Sequence, residues 1–578
     1  MTQRRGGRQH RAESRDFGDH RSHPPRHDLS NELTALEGTS YGRYKSLRGK
    51  WWTGQAILDI LKVQSDPYAP PSRVELRFDA ESADLVPEWH ATPERRRALA
   101  VLLAKRFRKA CPTRDLRIDA GGQEILRRAS CQVGEDGSVV FRLGAQFPGH
   151  GRRIAGRQAA RLLCEDLPDA ADDALAVGEE EAGTWVRHAD DVAALRKQVS
   201  DTGLVAFVAD GSMLARRSGV DDRPMEAGVP FRSPDSLAVE VELPHAGKLR
   251  GMGIAPGVTL VVGGGFHGKS TLLRALESGV WDHVPGDGRD FVVADPATVK
   301  VRAEDGRAVT GVDVHAFVDH LPSGDDTRHF STENASGSTS QAAAIVESLE
   351  AGARVLLIDE DTAATNLMIR DARMQELVAK DREPLTPLVD VVRSMADEHG
   401  VAVVLVMGGS GDYMDVADRV VLMDAYVPED VTERAKALAA KPTGRRVEAE
   451  GFRMPRARVV DARSVSSESR GKQKIRADDT DGLRFGESEI DVRAVEQITD
   501  QSMTAGIGYA IEAAVRQGWI DGKATMAEAL DRLDAAFEAE GQEVLLRVRD
   551  ADFAVPRRFE VAAALNRMRE LRVRQYEG

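Results

Sequence analysis

The sequence predicts an α/β fold. Three observations carry that expectation. From about residue 191 to 440, apolar strands, glycine loops and helical patterns alternate. At 258–262 the run VTLVV passes directly into GGGFHGKS and then into a helical pattern. At 355–360 the run VLLIDE leads four aliphatic residues into a carboxylate pair. Both runs are short and apolar throughout, as strands of a sheet covered on both faces are.

The glycine loop comes first because its context is the most specific. Residues Gly263, Gly264, Gly265, Phe266, His267, Gly268, Lys269 and Ser270 fit GxxxxGK[ST], with Thr271 next. Glycines let the backbone curl so that its N–H groups point at phosphate oxygens. A lysine at position 269 reaches the outer phosphates, and the Ser270 hydroxyl is a Mg²⁺ ligand. The helix is expected at 272–277. The second strand then supplies the carboxylates. Asp359 is expected to hold Mg²⁺ through water, and Glu360 to polarise the attacking water. A third element precedes that strand. Ser336, Gly337 and Ser338 begin ASGSTSQ's small-residue run, and Ser338 with Gln341 has capping-box spacing before an expected helix at 342–351. A helix start of small residues is a preformed anion site.

Together GGGFHGKST, RAEDGR, SGSTSQA, LLIDEDT, NLMIRDARMQ and VMGGSGDY resemble the family of ABC-class ATPases that lack transporter domains. Placing Ser336 on the family's signature serine leaves Asp359 on its Mg²⁺ aspartate without a gap. Residues 359–366, DEDTAATN, run parallel to the family's DEPTSALD. The departures are specific. Serine replaces the second signature glycine, and the switch-histidine position falls on Gly408. Glu304 is a weak candidate for the Q-loop residue. The resemblance implies an ABC-type ATPase core, an α+β N-terminal domain and a mainly helical C-terminal domain. It also implies ATP and Mg²⁺ as cofactors and a homodimer around a basic pore. In such a dimer Ser336, Gly337 and Ser338 of one subunit face the phosphate held by Lys269 of the other. Nucleic acid, with RNA favoured, is the implied client.

The rest of the chain sets bounds. Its 578 residues carry a net charge of −14, so any polyanion must be met by local basic surfaces. Residues 41–52 interleave Tyr41, Tyr44 and Trp51 with Arg43, Lys45, Arg48 and Lys50, a pattern that suits base stacking beside backbone tracking. Residues 148–163 carry Arg152, Arg153, Arg157 and Arg161 without an acid, and 453–476 are also basic. Cys111, Cys131 and Cys164 show no CxxC pairing, which points to a reducing compartment. No apolar run reaches the ~20 residues of a membrane helix, and a cytoplasmic protein without membrane contact is expected.

The expected division is a disordered basic tail (1–29), an N-terminal domain (30–190), the ATPase core (191–445) and a basic segment with a helical domain (446–578). Within it, helices are expected at 94–110, 503–517 and 525–539, a strand at 139–143, and an acidic surface segment or boundary at 165–181. The expected function is Mg²⁺-dependent ATP hydrolysis by a dimeric clamp or motor on nucleic acid. The alternatives are a nucleotide-gated binding module with little turnover, which Gly408 favours, and a small-molecule kinase sharing the phosphate loop.

Overall fold

The structure is a computed structural model, and it describes residues 24–547, 549 and 552–576. Helix α1 (Leu29–Ala35) precedes strands β1 (Gly49–Thr53), β2 (Ala56–Lys62) and β3 (Ser72–Phe78). Helix α2 (Pro93–Ala110) and strand β4 (Val139–Ala145) follow. The strands pair antiparallel in the order β1-β2-β3-β4. The Thr92 side chain caps α2 by accepting from Arg95 N, and Pro93 takes the first position, where no N–H is needed. Leu99, Leu103 and Phe107 of α2 are buried, and the Phe107 and Phe141 ring centroids lie 5.1 Å apart. The expected helix at 94–110 and strand at 139–143 are therefore present.

Two expectations are modified here. Of the expected disordered tail, residues 1–23 lie outside the described residues, and residues 24–29 are held against the N-terminal domain although only Leu29 among them is buried. Arg26 pairs its backbone with Lys50 and Trp52, its guanidinium lies 3.7 Å from the Trp51 ring centroid, and Leu29 is buried. The acidic stretch at 165–181 is not a surface segment throughout. Leu167–Leu175 is a helix that buries Leu167, Ala170, Ala171 and Ala174 at helical spacing and turns its acids outward. Helix α3 (Glu179–Asp201) begins within the same stretch.

The central part then lays down β5 (Ala206–Ala209), β6 (Ala238–Leu243), β7 (Gly247–Ile254) and β8 (Val258–Val262). Helix α4 (Lys269–Ser278), β9 (Val292–Ala294), β10 (Thr298–Val301), α5 (Gly337–Glu350) and β11 (Val355–Asp359) come next. Helix α6 (Leu388–His399), β12 (Ala402–Val406), β13 (Arg419–Asp424) and β14 (Val427–Asp430) complete it. One sheet runs β10-β11-β12-β8-β13-β14 and is parallel except for the β13–β14 hairpin. A second, antiparallel sheet runs β6-β7-β5-β9. Side chains alternate across the parallel sheet as the strand period requires. Leu356, Ile358, Val403 and Leu405 pack with α5 and α6, whereas Val355, Leu357, Val404 and Val406 pack with α4 and the second sheet.

The C-terminal part holds β15 (Ile475–Asp478), β16 (Gly482–Phe485), β17 (Ser488–Asp491), α7 (Gln501–Arg516), α8 (Met526–Glu540) and α9 (Arg558–Asn566). The two expected helices are present, and Thr525 with Glu528 closes a capping box on α8. The polar stretch before them contains an antiparallel three-stranded sheet that buries Leu483, Phe485 and Ile490. Strand Val573–Gln575 returns to pair with Arg458–Val460. Arg458 is one of the basic residues at 453–476, yet it is 1% exposed. Its guanidinium bonds Glu350 of α5 at 3.0 Å, Thr310 O at 2.8 Å and Asn566 of α9 at 2.8 Å. That residue is a structural tie and is unavailable to phosphate.

Removing one partner of a buried ion pair strands the other. Glu350→Ala is expected to destabilise the protein by about 3 kcal/mol, read as a lower urea midpoint. Glu350→Gln is expected to lose less, because its amide oxygen still accepts from Arg458.

Candidate functional site

The site assembles at the carboxyl edge of the parallel sheet. Strand β8 is buried between β12 and β13, so the chain leaves it at a fixed point. Gly263 follows at φ 143, and a Cβ there would meet Met423 O at 2.4 Å. Gly268 sits at φ 95, and a Cβ there would meet the Tyr426 ring at 2.7 Å. Only glycine fits either position. The β13–β14 turn braces the loop from outside. Ala425 N donates to His267 Nδ1 at 2.9 Å, and Tyr426 N donates to His267 O at 3.0 Å. Gly264 and Gly265 are exposed on the loop.

Helix α4 starts at Lys269, three residues before the expected start at 272, with Gly268 as its cap. Ser270 and Thr271 therefore lie in its first turn, where backbone N–H groups have no intrahelical partner. Lys269 Nζ donates to Gly263 O and Gly264 O, both at 2.8 Å, which holds the ammonium over the loop.

The carboxylates arrive on β11. Strand β12 separates β11 from β8, so the two strand ends lie about 10 Å apart, two strand spacings. Asp359 is 5% exposed and caps the turn after the strand by accepting from Asp361 N at 3.2 Å. Glu360 Oε2 accepts from the backbone N–H of Gly408 and, at 2.9 Å, from that of Gly409. A Cβ placed on Gly408 would lie 3.6 Å from Glu360 Oε2 and 3.9 Å from Lys269 Nζ. Lys269, Glu360 and the turn after β12 thus converge on one point. Gly409 was not singled out from the sequence. Its signal was the second glycine of the GG pair after the strand.

The signature segment is placed differently from its expected cap. Ser336 is the N-cap of α5, accepting from Thr339 N, and the helix starts at Gly337. Ser338 is 7% exposed and Gln341 is fully buried, so they form no capping box. Gln341 instead accepts from Ala364 N at 2.6 Å and donates to Met368 Sδ at 3.4 Å. That ties α5 to the turn after Glu360. Around Gly337 the nearest groups are Asp305, Ala303 and Ala364. The described hydrogen bonds of Ser336 and Ser338 stay within their own segment and do not reach the phosphate loop of the same chain.

Glu304 carries two contacts that no local pattern announces. Its N–H donates to Ser340 Oγ at 2.8 Å, and its carboxylate pairs with Arg567 at 2.8 Å, 263 residues away. A divalent cation has a fitting but incomplete donor set. Among the described residues no cluster of three His, Cys, Asp or Glu could hold a metal. One buried carboxylate, Asp359, and one first-turn hydroxyl, Ser270, suit Mg²⁺ that takes its other ligands from phosphates and water.

The aromatic stacking surface is a correction. Tyr41, Tyr44 and Trp51 are 2%, 0% and 1% exposed. Tyr41 and Tyr44 donate their hydroxyls to Phe147 O at 2.6 Å and Pro148 O at 2.7 Å, and burial pushes both phenols up. Such rings are core and cannot stack on bases. Arg43, Lys45 and Arg48 are exposed, and Lys50 is half-buried. The fold lays the second basic stretch beside them. Tyr41 N bonds Arg152 O at 2.9 Å, and Ser40 pairs with Arg153. Arg152 and Arg157 are exposed on that side.

Three family models match along the chain. The N-terminal model of ATPases of the ABC class covers residues 26–177, the P-loop domain of the ABC ATPases covers 178–458, and the MRB1590 C-terminal domain covers 474–574. The chain belongs to the ABC-class ATPases. Its α/β P-loop core lies within the central match, flanked by the other two. An uncharacterised protein of Methanocaldococcus jannaschii, MJ1628, is 31% identical over 211 residues, 33% of this chain and 46% of that protein. The matched part thus spans less than half of that relative. Among solved structures, CbiO1 from Clostridium perfringens, part of the ABC transporter complex CbiONQ, shares 15% identity at a TM-score of 0.22, covering 33% of this chain and 86% of CbiO1. A bacterial Atm1-family ABC exporter with ATP bound shares 12% identity at a TM-score of 0.24, covering 52% of this chain and 55% of the exporter. Among the described residues of this ABC-class chain, no helix is long and apolar enough to cross a membrane.

A Cβ at position 409 would come within 2.7 Å of Glu360 Oε1. Gly409→Ala is therefore expected to push the carboxylate aside and lower ATP hydrolysis by about 100-fold, with ATP affinity unchanged. Steady-state phosphate release together with calorimetry checks both halves.

Proposed function

We propose that this chain binds and hydrolyses ATP with Mg²⁺ and acts as a dimeric clamp or motor on nucleic acid, with RNA favoured. The observation that carries the catalytic part is the convergence of Lys269, Glu360 and the Gly408–Gly409 turn. Lys269 and the first-turn N–H groups of α4 bind the phosphates. Ser270 and Asp359 would hold Mg²⁺, which neutralises phosphate charge when bound. Glu360 orients the attacking water, and the two glycine N–H groups fix where its carboxylate points. Serines 336 and 338 with Gly337 serve a second copy, since none of their described hydrogen bonds reaches their own chain's phosphate loop.

One observation favours a second reading, a nucleotide-gated module with little turnover. Two backbone N–H donors already occupy a single oxygen of Glu360, which leaves its other oxygen alone to meet the attacking water. No imidazole stands at position 408 to share the work. A single-turnover assay separates the readings, because a gated binder retains ATP without releasing phosphate.

Lys269→Ala is expected to abolish high-affinity ATP binding, measured by calorimetry; unchanged affinity would place the site elsewhere. Glu360→Gln is expected to keep ATP binding and accumulate an ATP-bound dimer, measured by light scattering beside turnover. Wild-type turnover in that variant would assign the base to another residue.

The client part rests on cations without acidic partners. Among the described residues Arg43, Lys45, Arg48, Arg152 and Arg157 make no ion pair, and the fold sets them on neighbouring segments. Reversing Arg43 and Arg48 to Glu is expected to weaken single-stranded RNA binding and to flatten its log–log salt slope by about 0.7 per lost contact. Fluorescence anisotropy across a salt series measures it. Wild-type protein that shows no salt-dependent binding, with or without ATP, would remove nucleic acid as the client and leave the ATPase reading standing.

A further inference from the structure

Behind the phosphate-loop helix lies a second cleft. The far end of α4, from Arg274 to Ser278, forms one wall. Trp281, Arg289 and the loop at 216–222 form another, and residues 493–499 close it from the C-terminal part. Its volume is about 550 Å³, inside the range of small-molecule sites.

Five basic side chains line this cleft, Arg216, Arg274, Arg289, Lys300 and Arg493, against the four carboxylates Glu124, Asp222, Glu277 and Glu496. Arg289 is 5% exposed. Its guanidinium donates to Leu214 O at 2.7 Å and to Ser278 Oγ at 3.0 Å, and among the described residues it has no carboxylate at ion-pair distance. Burial, with Arg216 nearby, presses its pKa down to about 10. Asp222, Asp287 and Glu124 act on it only from a distance, and a buried cation without a carboxylate in contact is costly. Arg274, exposed on the same wall, also makes no ion pair among the described residues. Trp281 Nε1 and Thr499 Oγ1 are buried without a hydrogen-bond partner. An indole N–H can only donate, so it calls for an acceptor.

The carboxylates around the cleft do not meet this demand. Glu496 pairs with Lys300 and with Arg302, and Asp222 lies 3.3 Å from Arg216. Glu277 is 3.0 Å from Lys300, and burial pushes it up to about 7. Burial raises Glu124 as well.

We propose that this cleft binds a phosphate-bearing anion, with Arg274 and Arg289 as its cationic contacts. It is distinct from the phosphate loop. The phosphate loop opens α4 at Lys269, and the cleft wall begins five residues on at Arg274 and runs to Ser278, roughly 7 to 14 Å further along the axis. The anion is either a small phosphorylated molecule or a backbone phosphate of a nucleic acid, and both offer the same oxygens.

The test uses the full chain carrying Lys269→Ala, which disables the phosphate loop, and titrates inorganic pyrophosphate by calorimetry at low salt. Saturable one-to-one binding is expected, weakened about tenfold by adding Arg274→Glu, as loss of a charge-assisted contact requires. Arg274 is exposed, so that variant should fold. Arg289→Met, checked by circular dichroism, is expected to lose binding further. Competition with single-stranded RNA then separates the sources. Displacement of pyrophosphate assigns the cleft to a backbone phosphate, and no displacement assigns it to a free small anion. Absence of binding at about 1 mM pyrophosphate, or equal affinity in Arg274→Glu, would overturn the site. Neither result touches the ATPase reading, which rests on Lys269 and Glu360.

Discussion

Everything at the candidate site depends on one strand being in the middle. Strand β12 lies between the strand that feeds the phosphate loop and the strand that ends in Asp359. It keeps the loop and the carboxylates about two strand spacings apart, which leaves room for phosphates between them. The turn at its own end then reaches Glu360 with two backbone N–H groups. These donors are main-chain groups of the turn that begins two residues past the buried strand, so they move only as that turn does. The position of Glu360 is therefore a property of the sheet more than of its own rotamer. The buried alternation of Val403, Val404 and Leu405 fixes that strand's register.

The second organising feature is the C-terminal part's grip on the core. Arg567 holds Glu304, whose N–H bonds Ser340, whose hydroxyl donates to Gly337 O at 2.8 Å. Gln497 accepts from Lys300 N at 3.1 Å at the edge strand β10. Arg458 fastens α5 to α9 through Glu350 and Asn566. The start of α5 is thus tied to Glu304 and Arg567 and its end to Arg458, while its sequence alone fixes only the helix.

How much was legible follows from how local each signal is. The phosphate loop was readable because β8, the loop and α4 lie within about 20 residues of one another, and β11 because a buried aliphatic run leads directly into its carboxylate pair. The cap of α5 was misplaced because two serines compete, and only the backbone angles decide for Ser336. The aromatic segment was misread for a reason that its spacing contains. Tyr41, Tyr44 and Leu47 recur every third residue, the period of the 3₁₀ helix Tyr41–Leu47, so they share its buried face. Arg43 and Lys45 fall on the other sides. The ties Arg567–Glu304 and Arg458–Glu350 were illegible, since partners more than a hundred residues apart leave no periodic trace.

The returning strand Val573–Gln575 has a bearing on biosynthesis. It pairs with Arg458–Val460, and Asn566 just before it completes the shell around Arg458. A ribosome delivers these residues long after the phosphate loop and α5 have emerged. Until then the nascent core holds Arg458 with one of its acceptors missing and one strand edge open. Domains generally fold as they are made, but here one strand pair and the shell of a buried arginine are completed only by residues 566–575. Ribosome-bound chains would carry an assembled phosphate loop and an unfinished core, and chaperones that protect open strand edges would meet this chain at that stage.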